Sequence, residues 1–116
     1  IGVVRRSGRI RLMKYKLVVF VSLQSADKVR EAIGSAGGGK IGNYSHCSWS
    51  TRGVGRFLPL PGANPTIGEV GKMEEVEEER IETIVDETSL SSVISAMKKV
   101  HPYEEVAYDV YKLEEI

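Results

Sequence analysis

The phrase His101-Pro-Tyr-Glu-Glu-Val gathers an imidazole, a phenol and two carboxylates within a few residues. Pro102 fixes a turn there, and His101 falls at the end of a predicted helix, where the helix dipole favours the protonated imidazole. Glu104 and Glu105 are close enough in sequence to supply a carboxylate partner. Such a corner either binds a cation or relays a proton, or it is a rigid turn that holds a hydrogen-bonded histidine.

The second histidine stands beside the lone cysteine as His46-Cys47. Imidazole and thiolate are both ligands that suit Zn or Cu. The pair is predicted to lie in a strand, where neighbouring side chains point to opposite faces and do not chelate one ion together. Each residue therefore either binds a metal with ligands from elsewhere or serves in packing, as a buried thiol and a hydrogen-bonded imidazole.

Other motifs give catalysis and nucleotide binding little support. The glycine-rich residues 37–44 follow a predicted helix, whereas phosphate loops place their glycines between a strand and a helix N-terminus. This segment is a structural turn or a ligand-contacting loop. The serines lie in no G-x-S-x-G elbow, and only residue type connects Cys47 with His101 as nucleophile and base. We therefore assign no catalytic residue.

The composition fits one ordinary soluble domain of 116 residues with its own hydrophobic core. Sixteen basic and sixteen acidic side chains balance, which argues against a dedicated nucleic-acid binder. No apolar run approaches the roughly 20 residues needed to cross a bilayer, so no membrane role is expected. A single cysteine cannot form an internal disulfide and favours a reducing, cytoplasmic location.

The balanced charge is divided unevenly along the chain. Residues 1–12 hold four arginines and no acid, and Met13 opens the phrase MKYKLVVFV as a natural start. We expect residues 1–12 to be a basic leader, upstream-translated or left from cloning and disordered, unless they form a genuine basic arm. Residues 13–116 are then a single, mildly acidic domain.

Periodicity within this domain predicts two βαβ-like halves. β-branched and aromatic residues indicate a central strand from Tyr15 to Ser22. An apolar stripe follows on a helix that Ser25 caps and Gly37 stops. Strands are predicted over 44–51 and 73–86, the latter with a charged outer half, and a long loop covers 53–72. A second helix runs from Thr88 to Pro102, and a last strand finishes near Leu113.

This order predicts an α+β fold, a ferredoxin-like βαββαβ sandwich with an antiparallel sheet and both helices on one face. The strands carry more apolar surface than two short helices can cover. We therefore expect other subunits to bury the second sheet face.

Several ordered motifs resemble the CutA/PII-like domain that is inserted in Nif-three-like proteins, the GTP cyclohydrolase I type two homologues. They span about residues 14–113 and comprise GNYSHCSWST (42–51), GVGRF (53–57), GANP (62–65), IG (67–68), RIET (80–83) and HPYEEVAYDVY (101–111). His-Pro-Tyr-Glu is also shared with the CutA divalent-ion-tolerance family. The resemblance implies a stand-alone version of the module, in a fold that PII and CutA relatives assemble as trimers.

The resemblance also bears on the site. Residues 53–72 stand where PII proteins carry an effector-responsive loop, and that superfamily binds ligands or metals in clefts between subunits. The nucleotide-binding signature of PII regulators is missing here, so ATP binding does not carry over. The di-metal site of the two-part Nif-three-like proteins resembles a cluster of histidines and acids in the flanking domain, which this chain lacks.

The leading hypothesis is a non-catalytic, homotrimeric, cytoplasmic module that binds a divalent metal, Zn or Cu, or a small ligand at a subunit-edge cleft. The metal candidates are His46, Cys47 and His101, and the ligand-binding candidates are Tyr44, Tyr103 and Glu104. One alternative is a small metal-dependent hydrolase acting on a nucleotide-like substrate. Another is an interaction module that docks on a separate di-metal Nif-three-like protein. Nucleic acid and membranes are not expected partners.

Overall fold

A computed structural model describes residues 3–6 and 9–115, with side chains from residue 12 onward. The first two strands, β1 (Val3–Arg6) and β2 (Arg9–Leu12), pair with each other as a two-stranded antiparallel sheet. Neither strand joins the main sheet of the domain. Residues 1, 2, 7, 8 and 116 lie outside the described part. That the leader is disordered or was left from cloning stays a prediction.

The domain itself follows the predicted order of elements. These are β3 (Lys14–Ser22), a short 3-10 turn (Leu23–Ser25), α1 (Ala26–Ser35), β4 (Trp49–Phe57), β5 (Glu74–Asp86), α2 (Leu90–Val100) and β6 (Tyr108–Lys112). The four strands lie in the order β4-β5-β3-β6, and all neighbouring pairs are antiparallel. The predicted ferredoxin-like fold is confirmed.

The hydrophobic core lies between one face of the sheet and the two helices. Alternate residues of β3 point into it, and Leu17, Val19 and Val21 are fully buried. Each helix contributes a pair spaced four residues apart, which places both side chains on one face. Those pairs are Val29 and Ile33 on α1, and Val93 and Met97 on α2.

The opposite face of the sheet has no described helix over it. Lys16 and Arg80 both contact Glu82 on this face, at 3.5 Å and 3.0 Å. Trp49 pairs with Glu82, and Tyr111 pairs with Lys16, so both aromatic side chains share that face. They are 61% and 50% exposed. The uncovered face therefore combines a charged row with large apolar groups left in solvent.

The long loop is shorter than predicted, because β4 begins at Trp49 and continues through Gly53 to Phe57. Two glycines are tolerated there since β4 is an edge strand that keeps a full ladder with β5. The connection consequently begins at residue 58. Pairing between β3 and β5 ends at Ser22 and Glu78, so the rest of β4 and β5 projects beyond β3 as a two-stranded extension.

The helix ends also differ in detail from expectation. Ser25, the predicted cap of α1, makes no side-chain cap hydrogen bond, and Ser89, which precedes α2, makes none either. Instead the Asp86 carboxylate accepts hydrogen bonds from the N–H groups of Thr88 and Ser89, both at 3.1 Å. The hydrogen bond from the Thr88 hydroxyl is the main cause that lowers the pKa of Asp86. Gly37 does end α1, with a φ of 110° that favours glycine.

In the part of the chain that is described, no helix has both the length and the apolar character required to cross a membrane.

Candidate functional site

His101 is buried at the end of α2, and both of its ring nitrogens have partners. Nε2 donates to the carbonyl oxygen of Phe20 at 2.8 Å, while Nδ1 accepts the N–H of Tyr103 at 3.2 Å. This pattern requires the neutral tautomer that carries its proton on Nε2. Burial lowers the pKa of His101. The expectation of a protonated histidine is therefore wrong, because burial outweighs the hydrogen bond to Phe20 and the charge of Glu78.

The carboxylate at this corner comes from β5. The Tyr103 hydroxyl donates to Oε2 of Glu78 at 2.7 Å, and the Tyr103 ring meets His101 edge-on at 4.8 Å between centroids. Burial, followed by the neighbouring Glu78 carboxylate, raises the pKa of Tyr103. The phenol therefore stays protonated, and its one hydroxyl hydrogen is used in the hydrogen bond to Glu78.

Two hydrogen bonds fasten the long loop to the same corner. Both carboxylate oxygens of Glu104 lie within reach of the Asn64 N–H, at 3.0 Å and 3.3 Å. The Thr66 hydroxyl donates to the carbonyl oxygen of Pro102 at 2.6 Å. Glu104 therefore binds the loop backbone rather than His101.

A cavity of about 300 Å³ opens between the end of β4, the loop and this corner. Its walls are mostly apolar, and its polar residues are three glutamates, one tyrosine, one threonine and one arginine. A concave apolar site with a few converging polar groups is the usual form of a small-molecule pocket. The apolar contributors include Phe57, Pro59, Pro65, Ile67 and Ala107, and the polar ones Arg56, Glu78, Tyr103, Glu104 and Glu105.

His46 lies away from this cavity, in the turn before β4 rather than in the predicted strand. Its backbone adopts a positive φ of 60°, uncommon for a residue other than glycine. Its ring covers Gly34, where an added Cβ would come within 2.0 Å of the imidazole. Nδ1 lies 2.9 Å from the Ser45 hydroxyl, and Nε2 lies 3.6 Å from a Glu31 carboxylate oxygen.

Cys47 holds the turn in place through hydrogen bonds of its backbone groups. Its N–H donates to the Gly39 carbonyl at 2.9 Å, and its own carbonyl accepts the Thr83 hydroxyl at 2.8 Å. The thiol is half-buried and shares a depression of about 10 Å³ with His46. Tyr44 is 75% exposed and lines neither this depression nor the cavity.

The structure thus brings together two of the six predicted site residues, Tyr103 and Glu104, at the cavity. His46 and Cys47 line a separate, small depression. His101 contacts Tyr103 but does not itself line the cavity. Among the residues that the structure describes, no group of three or more His, Cys, Asp or Glu is arranged to hold a metal. The metal assignment stays a prediction for this chain.

Sequence reasoning missed Glu78 and Phe57. Glu78 belongs to the run of acids over residues 74–79, which was predicted to be the charged, solvent-facing outer half of a strand. A usable signal was the strand alternation, which places Glu74 and Glu78 on one face of the sheet and Glu75, Glu77 and Glu79 on the other. Phe57 was assigned to the loop because two glycines precede it.

The chain has close relatives by sequence. It is 57% identical over 99 residues to the GTP cyclohydrolase 1 type 2 homolog of Halalkalibacterium halodurans, a match that covers 85% of this chain and 27% of the relative. The homolog of Bacillus subtilis is 53% identical over 100 residues, with 86% and 27% covered. This chain is related to one segment of these proteins. It spans about a quarter of their length, and no protein-family profile matches it.

Solved structures agree with the sequence relatives. A Bacillus cereus protein related to NIF3 superposes with a TM-score of 0.78 and 50% identity, covering 89% of this chain and 26% of that one. The periplasmic divalent cation tolerance protein CutA from Archaeoglobus fulgidus gives a TM-score of 0.63 at 14% identity, with 89% and 86% covered. The GlnK–ATP complex of B. subtilis gives 0.59 at 14%, with 87% and 82% covered. The CutA/PII-like fold and the Nif-three-like resemblance are confirmed.

Proposed function

We propose that this chain is a non-catalytic binding module of the CutA/PII-like fold, and that its site is the cavity between loop 58–73 and the corner 101–107. The cavity itself carries the proposal, because its size and mostly apolar walls suit a small organic molecule. Tyr103 and Glu104, two of the residues expected from sequence, both line it.

The loop supports this assignment. Residues 58–73 contain exposed apolar side chains, yet Asn64 and Thr66 tie the loop to the corner through hydrogen bonds. A loop held by two backbone-directed bonds provides a defined wall, which a binding site needs. It can also release those bonds at modest cost, since each is exposed and worth about 1 kcal/mol.

The proposed assembly is a homotrimer built through the uncovered sheet face. Trp49 and Tyr111 supply the apolar groups that a partner subunit would bury, and the charged row around Glu82 would fix the register of the contact. The cavity then lies at a subunit edge, as proposed from the fold relatives. A cytoplasmic location belongs to the same proposal.

A divalent metal, Zn or Cu, is the alternative occupant of the module. His46, Cys47 and His101 remain its proposed ligands because of their chemistry. His101 would have to give up its hydrogen bonds to Phe20 and Tyr103, and further ligands would have to come from another subunit. Titration of metal-free protein with Zn²⁺ tests this, and unchanged affinity in the His46→Ala, His101→Ala double variant removes both histidines from the assignment.

A docking role is favoured by one further observation. The chain spans about a quarter of its curated relatives, so the proposed partner is a di-metal Nif-three-like protein or region corresponding to the rest of their length. Co-purification from the native cell tests this partnership. The hydrolase alternative is tested by turnover of GTP and phosphoesters with added metal, where release of product by the purified chain would support it.

The binding proposal is tested by nuclear magnetic resonance on the whole chain with a fragment library. Bound fragments are expected to shift the amides of Phe57, Ile67 and Tyr103 and to leave Tyr44 unchanged. Ala63→Phe places an aromatic ring in the cavity and abolishes these shifts. Ser91→Phe, on the exposed side of α2, is the matched control and retains them. Fragments that shift other regions alone, or an unaffected Ala63→Phe variant, would overturn the proposal.

A further inference from the structure

We propose that the cavity selects a small apolar organic cation, such as a protonated amine or amidine, and rejects nucleotides and other anions. This inference rests on the proposed binding function and specifies its ligand class. It comes from the charges, the hydrogen-bond polarity and the walls of the cavity taken together.

The charges around the cavity are unequal. Three acidic residues line it, Glu78, Glu104 and Glu105, against one basic residue, Arg56. Arg56 is already paired, because its Nε donates to a carboxylate oxygen of Glu75 at 3.0 Å. An entering phosphate would therefore meet several like charges and, among the described lining residues, one cation that is already paired with a carboxylate. A cationic ligand would instead be attracted by the carboxylates.

The hydrogen-bonding groups point to the same choice. Oε2 of Glu78 accepts the hydrogen bond of the Tyr103 hydroxyl, so that hydroxyl has no second hydrogen to donate to an anionic ligand. Oε1 of Glu78 rests against Gly55, at 2.1 Å from the position that a Cβ would take. Only glycine allows the carboxylate to lie this close to the β4 backbone. The cavity thus presents acceptors, and its ligand must bring the donors.

The walls distinguish an organic cation from a bare metal ion. Phe57, Pro59 and Ile67 offer apolar surface, and an aromatic ring attracts organic cations through its face. A metal ion would instead need several converging ligands, and the described residues hold no such group of three. Apolar walls with a few acceptors match an amine on a short hydrophobic body.

The test uses three probes of nearly equal shape: 2-phenylethylammonium, 2-phenylethanol and phenylacetate, with ATP and GTP as larger anions. Binding to the whole chain is followed by the amide shifts of Phe57 and Tyr103 at pH 7. We expect the ammonium probe to bind tightest and the anions weakest. Glu78→Gln should weaken the ammonium probe by about fivefold, as expected for a partly exposed charge pair, and leave the alcohol unchanged. Glu31→Gln removes a carboxylate elsewhere and serves as the control.

The outcomes separate this inference from the proposed function. If no probe shifts Phe57 or Tyr103 at millimolar concentration, the binding function fails together with the inference. If the alcohol, phenylacetate or a nucleotide binds at the cavity as tightly as the ammonium probe, only the cation preference is overturned. Equal effects of Glu78→Gln and Glu31→Gln would also overturn it, since the preference would then reflect net charge alone.

Discussion

The Tyr103 hydroxyl donates to the Glu78 carboxylate at 2.7 Å, joining the turn after α2 to the middle of β5. On the other side of Tyr103, its backbone N–H reaches His101, which in turn holds Phe20 of β3. One tyrosine therefore links the cavity to three elements of the fold. Disturbing any partner in this chain of contacts should change the cavity wall.

The space over Gly55 gives the first prediction. In Gly55→Ala the new methyl group displaces the Glu78 carboxylate, because a Cβ there would lie 2.1 Å from Oε1. We expect a loss of about 1 kcal/mol in unfolding free energy from the broken Tyr103 bond. Gly53→Ala is the control, since nothing lies within 4 Å of its Cβ, and it should be neutral or slightly stabilising. Equal urea-unfolding free energies for the two variants would contradict the prediction.

The two histidines should differ sharply in their contribution to stability. His101→Ala leaves the Phe20 carbonyl without its donor and opens a gap in a buried corner. The expected cost is about 2 to 3 kcal/mol in unfolding free energy. His46→Ala should cost under about 1 kcal/mol, because its imidazole is 44% exposed and its contacts lie at the surface. Denaturant unfolding measures both, and a larger loss for His46→Ala would reverse the assignment.

His101 also predicts how stability depends on pH. Above pH 6.5, the ordinary value, the imidazole is neutral in both the folded and the unfolded chain. As pH falls, the unfolded chain takes up the proton first, since burial lowers the pKa in the folded state. Stability is therefore lost from pH 6.5 down to that lowered pKa. The groups facing His101 are Tyr103, which stays neutral, and Glu78, whose charge partly opposes the shift.

The measurement is unfolding free energy at half-unit steps from pH 7.5 to 5. His101→Gln removes the titrating group and should flatten the curve in this window. Glu31, Glu82 and Asp86 have lowered pKa values and contribute only at lower pH, where their ordinary values of 4.5, 4.5 and 3.8 are approached. A slope that persists in His101→Gln would assign the effect to another group.

The uncovered sheet face predicts the effect of a charge on assembly. Trp49→Glu places a carboxylate beside Glu82 on that face and should convert the proposed trimer to monomer at micromolar concentration. Ile41→Glu alters another exposed apolar residue, 52% exposed in the turn region, and should leave assembly unchanged. Light scattering gives the masses. A wild-type monomer, or a trimeric Trp49→Glu variant, would contradict the interface.

The fold could be predicted because its signals are local and repeated. The β-branched run from Tyr15 to Ser22 and the stripe of Val29 and Ile33 each determine one element by its own period. The end of β4 could not be predicted in this way. Gly53 and Gly55 signal a loop by composition, whereas the ladder to β5 makes them part of a strand.

Only those cavity residues that belong to one short sequence motif were predicted. Tyr103 and Glu104 belong to the corner motif, so their proximity follows from a single turn. Glu78 lies 25 residues away and reaches Tyr103 through strand pairing, which no local pattern records. The prediction of a protonated His101 was wrong for a similar reason, since its hydrogen-bond partner, the Phe20 carbonyl, belongs to a distant strand.

Beyond Ser22 and Glu78, β4 and β5 pair only with each other, so the two sides of the cavity differ in their number of backbone hydrogen-bond partners. Gly55 and Phe57 line it from a part of the sheet held by one ladder, whereas Tyr103 is anchored to a part held by neighbours on both sides. Segments with fewer backbone partners open at lower free energy, so their amide hydrogens exchange with solvent sooner. A ligand that contacts both sides of the cavity connects the extension to the better-supported part of the sheet and stabilises it against opening. Ligand binding should therefore slow the exchange of amide hydrogens along the extension.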